Sequence, residues 1–262
     1  MTFGVEAKRL DAAADLSFGR AAALAVAGHL VSVPAVLVVR SAGASELLGA
    51  AVGMAGPLGI AAWTLHRWKA PWREVLAGFG AAIPLTPWIA AGVVGHLLLL
   101  SGITHALSAV WPWFARAARA LEHDFAGPPA AVALLVAVGA PLTEELLFRG
   151  VLLRGMLARY STWHALAGSA LLFAASHWFP VKVFLMLPAG VALGWLYVRY
   201  RSLWPPLLAH AMNNGFGVWL MLAAPPAAPV SSVSGGQGVA MVAAGIVLLW
   251  ASYQCLRVPP EK

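Results

Sequence analysis

The chain has 262 residues, of which 61% are hydrophobic and 10% are charged, and its formal net charge is +7. A soluble domain carries roughly 25% charged residues, so this composition excludes a water-soluble globular enzyme. In a membrane protein, positive charge collects in cytoplasmic loops, and we therefore predict no nucleic-acid partner. The single cysteine, Cys255, excludes an internal disulfide framework.

Apolar runs of about twenty residues recur along the chain, which predicts an all-α polytopic transmembrane helical bundle lying in the lipid bilayer. We expect one membrane domain over 1–262, which begins with an amphipathic cytoplasmic segment at 1–20. Segment 104–124 mixes tryptophan and charged residues with alanine and leucine, which predicts an interfacial amphipathic helix. The sequence predicts about eight spans, at 21–39, 47–65, 84–103, 129–153, 163–180, 183–199, 203–224 and 236–254.

The loop charges predict how the chain is oriented. With the N-terminus inside, twelve Lys and Arg residues fall on the cytoplasmic side, four fall outside, and Arg149 lies within a span. This split predicts that both termini are cytoplasmic. The composition is rich in alanine and has 13 Arg against 4 Lys, which favours a bacterial cytoplasmic membrane as the location.

Two adjacent acidic residues, Glu144 and Glu145, lie deep within an apolar run. A charged carboxylate at this depth costs roughly 2.5 to 3.5 kcal/mol on insertion scales, so a functional site is the default hypothesis. Glu145 and Arg149 are one helical turn apart and can form an ion pair. Glu144 points about 100° away from them and is therefore the candidate reactive group. A purely structural ion network is the alternative at this stage.

Two later spans offer further polar groups. Phe173 and His177 are four residues apart, as are His210 and Asn214, so each pair shares a helix face. A lone buried histidine is usually a satisfied core residue. Three separate apolar spans that each contain a catalytic residue type favour a shared site instead.

These three patterns together resemble the CPBP family of intramembrane proteases, which includes the CaaX prenyl endopeptidases and the bacterial Abi proteins. The run 140–150, Ala-Pro-Leu-Thr-Glu-Glu-Leu-Leu-Phe-Arg-Gly, is similar to the EExxxR motif of the family. Residues 173–177 are similar to its FxxxH motif, and residues 210–214 to its HxxxN motif. The resemblance covers about 140–217 and predicts catalytic core spans at 129–217.

The resemblance implies an intramembrane endopeptidase that cleaves a membrane-anchored protein or peptide near its C-terminus or anchor. Glu144 would act as general base on a water, and His177 would polarise that water. His210 and Asn214 would donate hydrogen bonds to the developing oxyanion. A structural role is favoured for Arg149 over contact with a substrate carboxylate. The supporting residues would be Glu145, Arg149 and Phe173.

The resemblance leaves a glutamate-dependent and a metal-dependent mechanism open. Glu144, His177 and His210 could ligate zinc in number and type. Their spacing is not HExxH and they come from three helices, so we favour the metal-free form. Counted along straight helices, the three residues lie at different depths, and only tilt, a kink or different helix bounds would bring them together.

Two other classes of function compete with a protease. In a transporter or proton relay, Glu144 and the histidines would carry ions, but such proteins often contain inverted repeats and this sequence shows none. A non-catalytic immunity or scaffold protein is the second alternative.

Overall fold

The computed structural model describes residues 15–119, 128–223 and 235–257. These ranges are helical and contain no β-strand, which confirms the all-α class. Three short turns, Trp72–Val75, Phe79–Ala82 and Ile83–Leu85, lead into the fourth long helix. The helices of two turns or more are α1 (Phe18–Leu30), α2 (Val33–Ser41), α3 (Glu46–Arg67), α4 (Thr86–Val110), α5 (Pro112–Arg119), α6 (Pro129–Leu157), α7 (Thr162–Ala175), α8 (Pro180–Tyr200), α9 (Trp204–Ala223) and α10 (Gly235–Leu256).

Six described segments are long and apolar enough to cross a membrane. They are Phe18–Ser41 (α1 with α2), α3, Trp72–Val110 (the short turns with α4), α6, α8 and Gly236–Leu256 in α10. The other two predicted spans, 163–180 and 203–224, form α7 and α9 but are not among the six. α7 has only 14 residues, and α9 contains His210, Asn213 and Asn214. The polytopic bundle is therefore confirmed, and the two helices outside this set carry predicted site residues.

The predicted interfacial helix at 104–124 has different bounds in the structure. Its first part belongs to α4, which continues to Val110. Trp111 is extended because the next residue, Pro112, disfavours a helical conformation before it. A separate helix, α5, then begins, and residues 120–124 lie outside the described ranges, as do residues 1–14 of the predicted N-terminal segment.

Helix α6 is interrupted by two π-helical segments, Leu135–Gly139 and Leu146–Leu153, on either side of the Glu144–Glu145 pair. Wide π turns are rare and frequently occur at functional sites. Pro141 explains the first segment, because its ring would clash with the carbonyl of residue 137 in a regular α-helix. The Ala140 N–H bonds the Leu135 carbonyl instead. The carbonyl of Val136 consequently lacks its usual α-helical partner.

The helices pack as a motif-bearing core and a flanking pair. The core helices α6 to α9 carry the three motifs, and α1 and α3 pack against α6. Helices α4 and α10 pack along their lengths because glycines allow close backbone approach. A Cβ at Gly95 would lie 2.9 Å from the Leu248 Cβ, and one at Gly245 would lie 2.7 Å from the Gly95 carbonyl oxygen. Helices α4 and α10 are called the flanking pair below.

Candidate active site

Glu145 and Arg149 form the ion pair that their spacing predicts. The Arg149 Nη1 donates to the Glu145 Oε1 at 2.8 Å, and the two side chains are 0% and 1% exposed. Arg149 also donates from Nη2 to the Gly190 carbonyl at 3.1 Å, and its guanidinium lies 4.6 Å from the centre of the Phe173 ring. Arg149 is therefore held inside the protein and does not line the cavity, although its Nε has no hydrogen-bond partner.

His210 of α9 contacts the same carboxylate. Its Nδ1 lies 2.8 Å from the Glu145 Oε1. Because the Glu145 Oε1 already accepts from Arg149 and serves as an acceptor here, the His210 Nδ1 carries the hydrogen and donates to it. The tautomer leaves the His210 Nε2 facing Glu144, 3.8 Å from its Oε2. This orientation matches the carboxylate–imidazole contact that holds the catalytic histidine in serine proteases.

Glu144 has a different environment from its neighbour. Its side chain is 28% exposed, and its Oε2 atom is buried without a hydrogen-bond partner, as is the Oε2 of Glu145. A buried acceptor without a partner costs about 1–3 kcal/mol. The two carboxylates differ at the other oxygen, because the Glu145 Oε1 accepts from Arg149 and His210, whereas no described residue donates to Glu144. The Glu144 carboxylate is therefore free to accept from a water or a substrate.

Phe173 and His177 meet as their spacing predicts, with ring centres 5.2 Å apart. The His177 Nδ1–H donates to the Phe173 carbonyl at 3.0 Å, which leaves its Nε2 without a partner in the described structure. The Phe173 ring also lies 5.8 Å from the His210 ring. Phe173 thus packs between the two histidines and Arg149, and it fixes their relative positions.

The chain turns sharply after His177, so α7 ends earlier than predicted. Trp178 has a positive φ of 60°, and the Phe179 N–H donates to the His177 carbonyl at 2.7 Å. This three-residue turn is strained for a bulky side chain. It places His177 in the connection between α7 and α8.

Asn214 lies one helical turn after His210 on α9, and its side chain has a specific partner. Its Nδ2 donates to the Val136 carbonyl at 3.0 Å, the carbonyl that the first π segment leaves without its usual partner. Asn213 donates to the Asn214 Oδ1 at 3.3 Å, which orients the amide. One of the two Asn214 amide hydrogens remains for another acceptor.

Glu144, His177, His210 and Asn214 all line one open cavity of about 1510 Å³. Its wall is mainly apolar and comes from the core helices α6 to α9, the flanking pair and α3. The structure therefore brings together Glu144, His177 and His210, which straight-helix counting places at different depths, and Asn214 lies at the same cavity wall. Residues that the sequence analysis did not single out, His96 and Lys182, line the same cavity.

The residues present do not form a three-ligand metal site. Among the described residues, no group of three His, Cys, Asp or Glu side chains is arranged to hold a metal ion. We therefore derive no reaction step through zinc.

Comparison with known proteins places the three motifs in one family. Residues 126–216, which contain all of them, match the model of the type II CAAX prenyl endopeptidase Rce1-like family. A Bacillus subtilis (strain 168) protein named "Putative membrane peptidase YdiL" is 28% identical over 95 residues, which are 35% of this chain and 39% of that protein. The chain thus spans about two fifths of the length of this curated relative. No solved structure matches the chain.

The family resemblance predicted from the three motifs is thereby confirmed for residues 126–216. The sequence analysis missed the contact between Glu145 and His210, because it joins two helices and leaves no spacing signal. It also did not predict that Asn214 donates to the Val136 carbonyl of α6. Pro141 could have indicated such a contact, because a proline within a helix leaves carbonyls without their usual partners.

Proposed function

We propose that the chain is an intramembrane endopeptidase of the family that its residues 126–216 match, acting on a membrane-anchored protein or peptide. The observation that supports this most directly is the buried, unpartnered Oε2 of Glu144, 3.8 Å from the His210 Nε2 at the wall of a large cavity. The expected location is a bacterial cytoplasmic membrane with both termini inside, and the catalytic core is residues 129–217.

Glu144 and His177 act on the water in this mechanism. The Glu144 carboxylate accepts a proton from the water as its oxygen attacks the scissile carbonyl carbon. The free Nε2 of His177 holds the water against the substrate. On collapse of the tetrahedral intermediate the C–N bond breaks, and Glu144 returns the proton to the leaving amine. The apolar cavity wall limits competing water and strengthens these electrostatic interactions.

His210 and Asn214 stabilise the oxyanion. Glu145 holds the Nδ1–H of His210 and so directs its Nε2 towards Glu144. With a proton on Nε2, the ring donates to the oxyanion. The second amide hydrogen of Asn214 supplies the other donor. One preorganised donor of this kind contributes about 2.7–4 kcal/mol to transition-state stabilisation.

Glu144→Gln tests this proposal. We expect cleavage to fall by about 10²–10⁴-fold, the typical contribution of a general base. Membranes of cells that express the wild type or Glu144→Gln at equal abundance are compared by mass spectrometry for truncated membrane proteins. Glu74→Gln makes the same chemical change at an exposed position outside the cavity and is the matched control.

Each outcome has a definite meaning. Products that occur with the wild type and Glu74→Gln but not with Glu144→Gln support the protease and identify the cleaved bond. Identical products in all three samples would mean that Glu144 is not the base. Absence of any truncated product, together with Glu144-dependent proton or solute flux in vesicles, would favour the transporter alternative.

A further inference from the structure

Lys182 is a cation in the catalytic cavity without a visible partner. It lies in the first turn of α8, five residues after His177, and it lines the cavity with Glu144 and His210. Within the described ranges its ammonium group makes no ion pair or hydrogen bond. Its charge and that of Glu144 both act electrostatically on His177, so Lys182 is close to the proposed chemistry.

The cavity contains few formal charges. Among the described residues that line it, Glu144 and Lys182 are the only ones of the Asp, Glu, Lys and Arg types. They do not form an ion pair with each other, since the pairs that Glu144 makes within 4.0 Å do not include Lys182. Glu144 therefore remains available as a base. No residue in the described ranges pairs with the positive charge of Lys182.

The residues of α8 that follow Lys182 and line the cavity are apolar. Met186, Ala189 and Leu193 follow Lys182 at helical spacing and line the same cavity. A half-buried cation beside an apolar surface is costly unless it meets an anion. The face therefore fits an apolar chain that carries a negative group at one end. Arg149 cannot supply this contact, because it is fully buried and bonded to Glu145 and Gly190.

We propose that Lys182 binds a carboxylate of the substrate and so selects apolar peptides that carry a negative charge close to the cleaved bond. The carboxylate is either the free C-terminus or a Glu or Asp side chain, since both present the same group to an ammonium. The inference rests on the proposed function, because it names the substrate of the same cavity. It is tested by binding, which does not require turnover.

The probes are three fluorescein-labelled decapeptides of alanine and leucine. One ends in a free carboxylate, one ends in an amide, and one ends in an amide but carries a glutamate next to its last residue. Their binding to the full-length protein in detergent is measured by fluorescence polarisation. All proteins carry Glu144→Gln to prevent cleavage. The protein that keeps Lys182, called the Lys182 protein, is compared with the variants Lys182→Met, Lys182→Arg and Lys69→Met. Lys69 is exposed and lies outside the cavity, so it is the matched control.

We expect the free-acid peptide to bind the Lys182 protein about tenfold more tightly than the amide, since a hydrogen bond to a charged group contributes roughly that factor or more. Lys182→Met should abolish this preference, while Lys182→Arg and Lys69→Met should keep it. The glutamate peptide separates the two sources. If it binds like the amide, the C-terminal carboxylate is recognised, and if it binds like the acid, a side-chain carboxylate suffices.

Equal binding of all three peptides to the Lys182 protein, or no binding at all, would overturn the inference. Binding of the acid that is unaffected by Lys182→Met would also overturn it. Loss of the preference when anionic phospholipid is added would mean that Lys182 binds lipid phosphate instead. The proposed function is tested separately, by the cleavage experiment with Glu144→Gln. A protease without a carboxylate site would show Glu144-dependent cleavage but no preference for the acid peptide. A carboxylate site without protease activity would show the preference but no cleavage.

Discussion

Glu144 and Glu145 are neighbours in sequence but belong to two different regions of the molecule. Glu145 is part of a buried ionic cluster with Arg149, His210 and Phe173, in which the side chains hold each other in place. Glu144 lies on the cavity wall with His177 and Lys182, and no described residue donates a hydrogen bond to its carboxylate. The difference teaches that hydrogen-bond partners, rather than depth in the membrane, distinguish the carboxylate that we propose as structural from the one that we propose as reactive.

Breaking the ionic cluster should produce the largest effect on stability. Arg149→Met leaves the Glu145 carboxylate buried without its cation, and removing one partner of a buried pair costs about 3–5 kcal/mol. We expect a large fall in the midpoint of thermal unfolding in detergent. Arg40→Met is the matched control, because the Arg40–Glu46 pair is exposed and such pairs contribute at most about 1 kcal/mol. Equal falls for the two variants would contradict a buried cluster.

Glu145→Gln should produce an intermediate effect. The amide keeps an oxygen that accepts from the His210 Nδ1, but it loses the charge that balances Arg149. We expect a loss of about 1.5–3 kcal/mol, the range for hydrogen bonds to charged groups, measured by denaturant unfolding in mixed micelles. An unchanged free energy of unfolding would mean that Glu145 does not hold Arg149 and His210 together.

Glu144→Gln should have the smallest effect on stability. Its Oε2 has no partner to lose, so the free energy of unfolding should stay within about 0.5 kcal/mol of the wild type. The same unfolding experiment measures it beside Glu145→Gln. A destabilisation as large as that of Glu145→Gln would show that the two carboxylates do not differ in role, and the comparison would fail.

Contacts within one helix could be predicted from the sequence, but contacts between helices could not. The Glu145–Arg149 pair follows from a spacing of four residues, and so does the Phe173–His177 contact, although His177 lies just beyond the end of α7. The Glu145–His210 bond joins residues 65 positions apart and has no local signal. The bundle class followed from composition and long apolar runs. The helix ends were less predictable, because the end of α7 depends on the strained turn at Trp178.

The π segments show the same limit at the level of the backbone. Pro141 could have indicated a disturbed helix, yet the partner of the freed Val136 carbonyl, Asn214, lies on another helix. In the second segment the Ser169 hydroxyl of α7 donates to the Phe148 carbonyl at 3.2 Å. Each widened part of α6 is thus held by a side chain from a neighbouring helix, and periodicity within α6 cannot reveal that.

The flanking pair has a consequence for the order in which the protein is assembled. Helix α4 precedes all three motifs in the chain, and α10 follows them, so the motif-bearing helices are synthesised between the two members of the pair. Both members contribute to the cavity wall, and the glycine contacts at Gly95 and Gly245 require both. The wall can therefore close only after α10 has left the ribosome. A chain that has been synthesised only as far as α9 lacks Leu249, Ser252, Tyr253 and Leu256, the residues that α10 contributes to this wall.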